Sequence, residues 1–166
     1  TAGTCGISLA PIVPEVAPAP LSLLGHKQHR FGTMQAYAQA VDAAQPAINI
    51  AALLGHTSLR IKHMADFERP ANADERAAMA DDMREAMEAG ALGLSSGIFY
   101  REAYAADMDE LVSVARVAAA HGGVYATHIR DELEGILDAM LEAAGTASGA
   151  GLPLILSHHK CAGSAN

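Results

Sequence analysis

Three short stretches of this chain combine metal-binding residue types with positions from which they could converge. Gly3-Thr4-Cys5-Gly6 closes one apolar run, Ala126-Thr127-His128 closes another, and Leu156-Ser157-His158-His159-Lys160 closes a third. A thiolate and two imidazoles form the borderline-soft ligand set that Zn²⁺ takes, and three protein ligands leave a fourth position open for chemistry. Singly, each residue has a plainer reading. A lone Cys is commonly a small buried hydrophobe, and a lone His a hydrogen-bonded structural residue. Jointly, three strand tips favour a metal site made by Cys5, His128 and His158.

Other residues near those tips could serve a substrate. Lys160 and Arg130 follow ligand candidates and could reach a carboxylate, although an exposed charge is the commoner role. Phe99 and Tyr100, beyond the third apolar run, are the candidate aromatic pocket wall in a chain with three Phe, four Tyr and no Trp. Glu132 could orient an imidazole or simply favour a helix N-terminus. His159 should point away from His158 along extended backbone. His26, His29, His56 and His63 lie in or near expected loops without a shared spacing, and His121 at a helix end, and a structural role is favoured for all five. Of these, His56, at the end of the second apolar run, is the one to watch.

The elements that would position these residues alternate regularly. Strands are expected at the Gly3–Gly6 tip and over residues 47–54, 90–96, 123–127 and 152–157. The second, apolar on both faces, reads as a buried parallel strand. A Pro-rich stretch (Pro11, Pro14, Pro18, Pro20) reads as loop, and Thr33 as the cap of a helix to Ala44. Capping-box spacing at Asn72/Glu75, Asp107/Glu110 and Asp131/Glu134 predicts three further helices, with Gly90, Gly122 and Gly145 ending them. Met79, Met83 and Met87, then Leu111, Val112 and Ala115, then Ile136, Leu137, Met140 and Leu141 follow helical periodicity. Such alternation implies βαβ units and a parallel sheet, either doubly wound or part of a (β/α)₈ barrel. No Gly-rich phosphate fingerprint follows any strand, which weakens the dinucleotide-binding version. The expected fold is thus α/β: a partial TIM-type barrel of about five strands and four helices, since a closed barrel takes roughly 250 residues.

Composition narrows the class. The 166 residues carry a net charge of −8, which argues against nucleic acid and anionic membrane as partners. No apolar run approaches the roughly 18 residues of a membrane span. Cys5 and Cys161 are the only thiols, too few for a disulfide framework, so a cytoplasmic setting is expected.

Five ordered motifs resemble the N-acyl-D-amino-acid deacylases (D-aminoacylases) of the amidohydrolase superfamily. They are Gly3-Thr4-Cys5-Gly6 with Ser8-Leu9-Ala10-Pro11, Asn49 through Gly55-His56-Thr57 to Leu59-Arg60, Gly90 through Ser95-Ser96-Gly97-Ile98-Phe99-Tyr100, Ala126 through Glu132, and Ser157-His158-His159-Lys160. The resemblance implies zinc on Cys5, His128 and His158, Phe99 against the substrate side chain, and Tyr100 and Lys160 on the substrate carboxylate. It further implies hydrolysis of small-molecule N-acyl-D-amino acids to a D-amino acid and a carboxylate. The family's His-x-His pair, catalytic Asp and additional Arg find no match, and no His-x-His occurs in the sequence. Residues 1–166 are therefore expected to be an internal fragment of the catalytic barrel, lacking its catalytic Asp and inactive alone. Two rival readings are a cyclic amidase of the same superfamily and a non-catalytic zinc-binding remnant or subunit. The cyclic amidases commonly bridge two metals with a carboxylated lysine at a mid-barrel strand end, and the run ending at Tyr100 offers no Lys.

Overall fold

The structure, a computed structural model, describes residues 2–12, 21 and 30–164. Pro14, Pro18, Pro20, His26 and His29 lie outside the described residues. In chain order the elements are α1 (Met34–Ala44), β1 (Leu54–Gly55), α2 (His56–His63), α3 (Ala73–Glu88), β2 (Gly93–Gly97), α4 (Arg101–Tyr104), α5 (Met108–Ala120), β3 (Val124–His128), α6 (Ile136–Ala150) and β4 (Leu154–Leu156). The sheet is parallel throughout, in the order β1-β2-β3-β4. Ala2 extends it beyond β1 through a parallel bridge to Ala52. Spatial order follows chain order without reversal. A doubly wound sheet reverses at a switch point, and none occurs among these strands.

Register decides which side chains see the helices. Leu54, Leu94, Tyr125 and Leu154 form one row across the sheet, and Gly55, Ser95, Ala126 and Ile155 the row beside it. Successive strand residues face opposite sides, and the first row packs with Met79 and Met83 of α3, Val114 and Ala118 of α5 and Ala147 of α6. Ser96, Tyr125 and Thr127 face the same layer. There the Ser96 hydroxyl lies 2.7 Å from both the Tyr125 hydroxyl and Thr127 Oγ1, so the buried polar atoms are paired. His128 pairs in register with Gly97 and faces the other side, away from the helices.

Local chemistry explains most helix starts. The Thr33 hydroxyl accepts from Ala36 N–H, and Asn72 and Glu75 make a full capping box. Asp107 accepts from Glu110 N–H at 2.8 Å, but the Glu110 side chain does not return the bond. Asp131 does not start a helix. Its carboxylate accepts from Leu133 and Gly135 N–H and closes a turn, so α6 begins only at Ile136. Gly145 lies inside α6, which ends instead at Gly151.

Two further expectations are corrected. Residues 47–51 do not form a buried strand: Ile48 is 74 % and Ile50 42 % exposed, and pairing with β2 begins only at Leu54. His56 and His63 are not in loops but open and close α2, an eight-residue helix whose cap is a backbone carbonyl. The Gly6 carbonyl accepts from Thr57 N–H at 2.9 Å and Ser58 N–H at 3.3 Å, which satisfies first-turn donors that a side-chain cap would usually take. Side-chain caps are visible in a sequence; this one is not.

Candidate metal centre

The segment carrying Cys5 is held over the sheet by close backbone approach. Ser95, on the face away from the helices, donates to the Gly3 carbonyl and accepts from Gly6 N–H at 3.2 Å. Gly6 has φ +77°, and a Cβ there would stand 2.5 Å from Gly97 N and 2.9 Å from Thr57 Oγ1. A Cβ on Gly97 would collide with the Cys5 carbonyl and lie 2.7 Å from the Tyr100 ring. Only hydrogen fits at either place, so the two glycines let the Cys5 turn settle on the end of β2. Cys5 itself has φ +57°, a conformation uncommon for a residue with a side chain. Ser8 completes the anchor, accepting from Gly55 N–H at 2.9 Å, while Ser8 N–H donates to the Ser58 hydroxyl at 3.0 Å.

The thiol arrives beside the two imidazoles. Cys5 Sγ is 2.9 Å from His158 Nε2, and ligand atoms of Cys5, His128 and His158 all lie within 4.8 Å of one another. The His128 and His158 ring centroids are 4.9 Å apart. His128 is buried, yet neither of its ring nitrogens has a hydrogen-bond partner among the described residues. Buried polar atoms are normally paired, so two ring nitrogens without a hydrogen bond beside a thiol and a second imidazole have the donor chemistry of a cation ligand. Burial pushes the His128 imidazole below the usual histidine range, towards the neutral form that offers a lone pair. Burial pushes the Cys5 thiol up, with the Thr4 hydroxyl opposing it. A bound cation reverses that penalty, because ligation deprotonates a thiol.

The remaining candidates surround this cluster. The Phe99 and Tyr100 rings stand 5.3 Å and 5.5 Å from that of His128, and Phe99 keeps about half its surface open. Lys160 Nζ lies 2.7 Å from Glu132 Oε2. Arg130 is not available to a ligand here. It grips Glu142, donates to the Tyr104 and Ala106 carbonyls and lies over the Tyr104 ring. His159 is exposed and stays outside the cluster. His121 Nδ1 lies 2.9 Å from the Val117 carbonyl oxygen, and His63 Nε2 2.6 Å from Asp82.

His56 belongs to a buried ion network that sequence reasoning missed. Its Nε2 lies 2.8 Å from Glu110 Oε1, and both oxygens of Glu110 accept from Arg60 Nη1 at 2.6 Å and 2.7 Å. Ala71 N–H also donates to Glu110 at 2.6 Å, while Arg60 donates to the carbonyls of Glu102, Phe67 and Arg69. The side chains of His56, Arg60 and Glu110 are fully buried. Burial alone would raise the Glu110 carboxyl, but His56, Arg60 and Ala71 N–H outweigh it and hold the group down at about 2. The network ties α2 and the first turn of α5 to the segment before α3. His56 and Arg60, one helical turn apart, carry a faint sequence signal. Glu110 carries capping-box spacing with Asp107, which hides its buried role.

No protein-family profile matches the chain. The D-aminoacylase of Alcaligenes xylosoxydans xylosoxydans is 44 % identical over 99 % of this chain and 34 % of its own length. The N-acyl-D-aspartate deacylase of the same organism is 43 % identical over 99 % of this chain and 33 % of its own length. A D-aminoacylase crystal structure, described as defining a novel subset of amidohydrolases, superposes with a TM-score of 0.95 at 44 % identity, over 99 % of this chain and 35 % of that one. An N-acyl-D-glutamate deacylase from Bordetella bronchiseptica, complexed with zinc and a phosphonate mimic of the tetrahedral intermediate, gives a TM-score of 0.92 at 41 % identity over the same shares. By sequence and by fold the chain is similar to D-aminoacylases and N-acyl-D-amino-acid deacylases, and it spans about a third of the length of the relatives it matches.

Proposed function

We propose that this chain supplies the metal-binding and part of the substrate-binding portion of a zinc-dependent amidohydrolase that cleaves N-acyl-D-amino acids. The observation that carries the reading is the convergence of Cys5, His128 and His158 on the sheet face away from the helices. Strands in unbroken consecutive order support a segment of a barrel, whose inner face collects groups from several strand ends.

Cys5, His128 and His158 would hold the cation. Zn²⁺ held there would supply Lewis-acid polarisation of an amide carbonyl and would acidify water. The chain's own residues then set the substrate. Lys160 offers an ammonium, and Tyr100 a phenol whose pKa burial pushes up, for a free α-carboxylate. Phe99, half open beside His128, offers an apolar face to the substrate side chain. Fixing the carboxylate and the side chain relative to the cation leaves one hand of the α-carbon with its acyl group at the metal. A general acid–base carboxylate is not assigned among these residues. Turnover is accordingly proposed for a protein carrying this segment together with the rest of the length seen in its relatives.

The test is a matched pair of measurements on a protein of that full length. Stoichiometric zinc and hydrolysis of N-acetyl-D- over N-acetyl-L-amino acids are expected. Zinc binding without hydrolysis of either hand would leave only the binding-module reading. Hydrolysis of cyclic amides in place of N-acyl-D-amino acids would favour the cyclic-amidase reading.

A further inference from the structure

We infer that Glu132 is a positioning residue shared by the metal site and the carboxylate-binding lysine, so that the two are energetically coupled. The inference rests on the metal-site reading above. Glu132 is 9 % exposed, and its two oxygens face different partners. Oε2 lies 2.7 Å from Lys160 Nζ. Oε1 stands 3.2 Å from His128 Nε2, an ion-pair distance without hydrogen-bond alignment, and has no other partner among the described residues.

The backbone makes the same connection independently. Ala162 N–H donates to the Glu132 carbonyl at 2.7 Å. The segment after β4, which carries His158 and Lys160, is thus fastened at two points to the residue four positions beyond His128. A carboxylate against one imidazole nitrogen fixes the ring and raises the basicity of the other, and losing such a partner typically costs about 10- to 100-fold in metal affinity. The second oxygen sets where the Lys160 ammonium stands. Moving either partner therefore changes the field and the freedom of the other.

Co²⁺ binding tests this, because a thiolate–Co²⁺ charge-transfer band reports both occupancy and Cys5 ligation without any turnover. The wild-type chain is expected to show the band on titration with Co²⁺ alone. Glu132→Gln should weaken affinity about 10-fold or more while leaving metal-free thermal unfolding in place. The effect of Lys160→Met on Co²⁺ affinity should differ at least about threefold between the unmutated and E132Q backgrounds, whereas independent sites give additive effects. Glu132→Asp, one methylene shorter, should fall between the two, and it carries the test if E132Q does not fold. A wild-type chain without the band overturns the metal-site reading and this inference with it. A wild-type chain with the band, but with E132Q equal to it or E132Q and K160M strictly additive, overturns the Glu132 role alone.

Discussion

Cys5 Sγ lies 2.9 Å from His158 Nε2 although 153 residues separate them in the chain. Consecutive parallel pairing over Ala2, β1, β2, β3 and β4 leaves the Cys5 turn and the β4 tip at opposite ends of the described sheet. They meet because the Cys5 turn leans over the end of β2, tied to Ser95 and seated against Gly97, and so reaches the groups carried by β3 and the β4 tip. His128, on the intervening β3, completes the set from the sheet face away from the helices.

Cys5→Ala should remove the thiolate–Co²⁺ band and abolish zinc retention through dialysis. In the unmutated chain, zinc at 100 times its Kd should raise stability by about 2.7 kcal/mol, and chelation should reverse the gain. The C5A variant should show little of that shift. Thermal unfolding with Zn²⁺ and with EDTA reads both. Equal zinc content and equal shifts in the two proteins would refute the ligand role.

Gly97→Ala should perturb the site from beneath, because its Cβ would collide with the Cys5 carbonyl and the Tyr100 ring. The backbone of the Cys5 turn must move, at a cost of about 1–3 kcal/mol typical of overpacking. Urea unfolding gives that cost, and Co²⁺ titration should show a weakened or distorted thiolate band. Wild-type spectra and stability together would show that the turn has room after all.

Arg60→Met should be far more damaging than its helical position suggests. It leaves Glu110 buried with only His56 and the Ala71 N–H, and breaking a buried pair typically costs about 3–5 kcal/mol. The double variant with Glu110→Gln should recover part of that loss, since no carboxylate is then stranded. Urea midpoints for the two single variants and the double variant decide it. A single-variant cost below about 1 kcal/mol would place the network among ordinary surface pairs.

Acid should weaken the fold through the same carboxylate. Glu110 is held at about 2 in the folded chain, below the roughly 4.3 of an unfolded Glu. The folded pKa is depressed, so the contribution is complete above the unfolded value. It is lost as pH falls from about 5 towards 2, and amounts to about 3 kcal/mol. Stability against pH should therefore slope less in E110Q than in the wild type over that window. Identical slopes would mean that other carboxylates carry the acid sensitivity.

The sequence by itself determined the parallel α/β alternation, the caps at Thr33 and Asn72, and the identity of Cys5, His128 and His158 as strand-end ligand candidates. These are signals written within a few residues: apolar runs, a side-chain acceptor three residues before its donor, an imidazole at the close of a run. It misplaced what depends on neighbours. Residues 47–51 look like a buried strand by composition, but burial comes from pairing, and the ladder with β2 starts at Leu54. Asp131 carries cap spacing, yet its carboxylate closes a turn and α6 starts later. Only the tertiary structure decided that Gly6 and Gly97 must lack a Cβ, that Arg130 is consumed by Glu142 and two carbonyls, and that Glu110 serves His56 and Arg60. Each of these depends on contacts between segments tens of residues apart. Residue type and local spacing state what a side chain could do; the packing of distant segments determines which partner it meets.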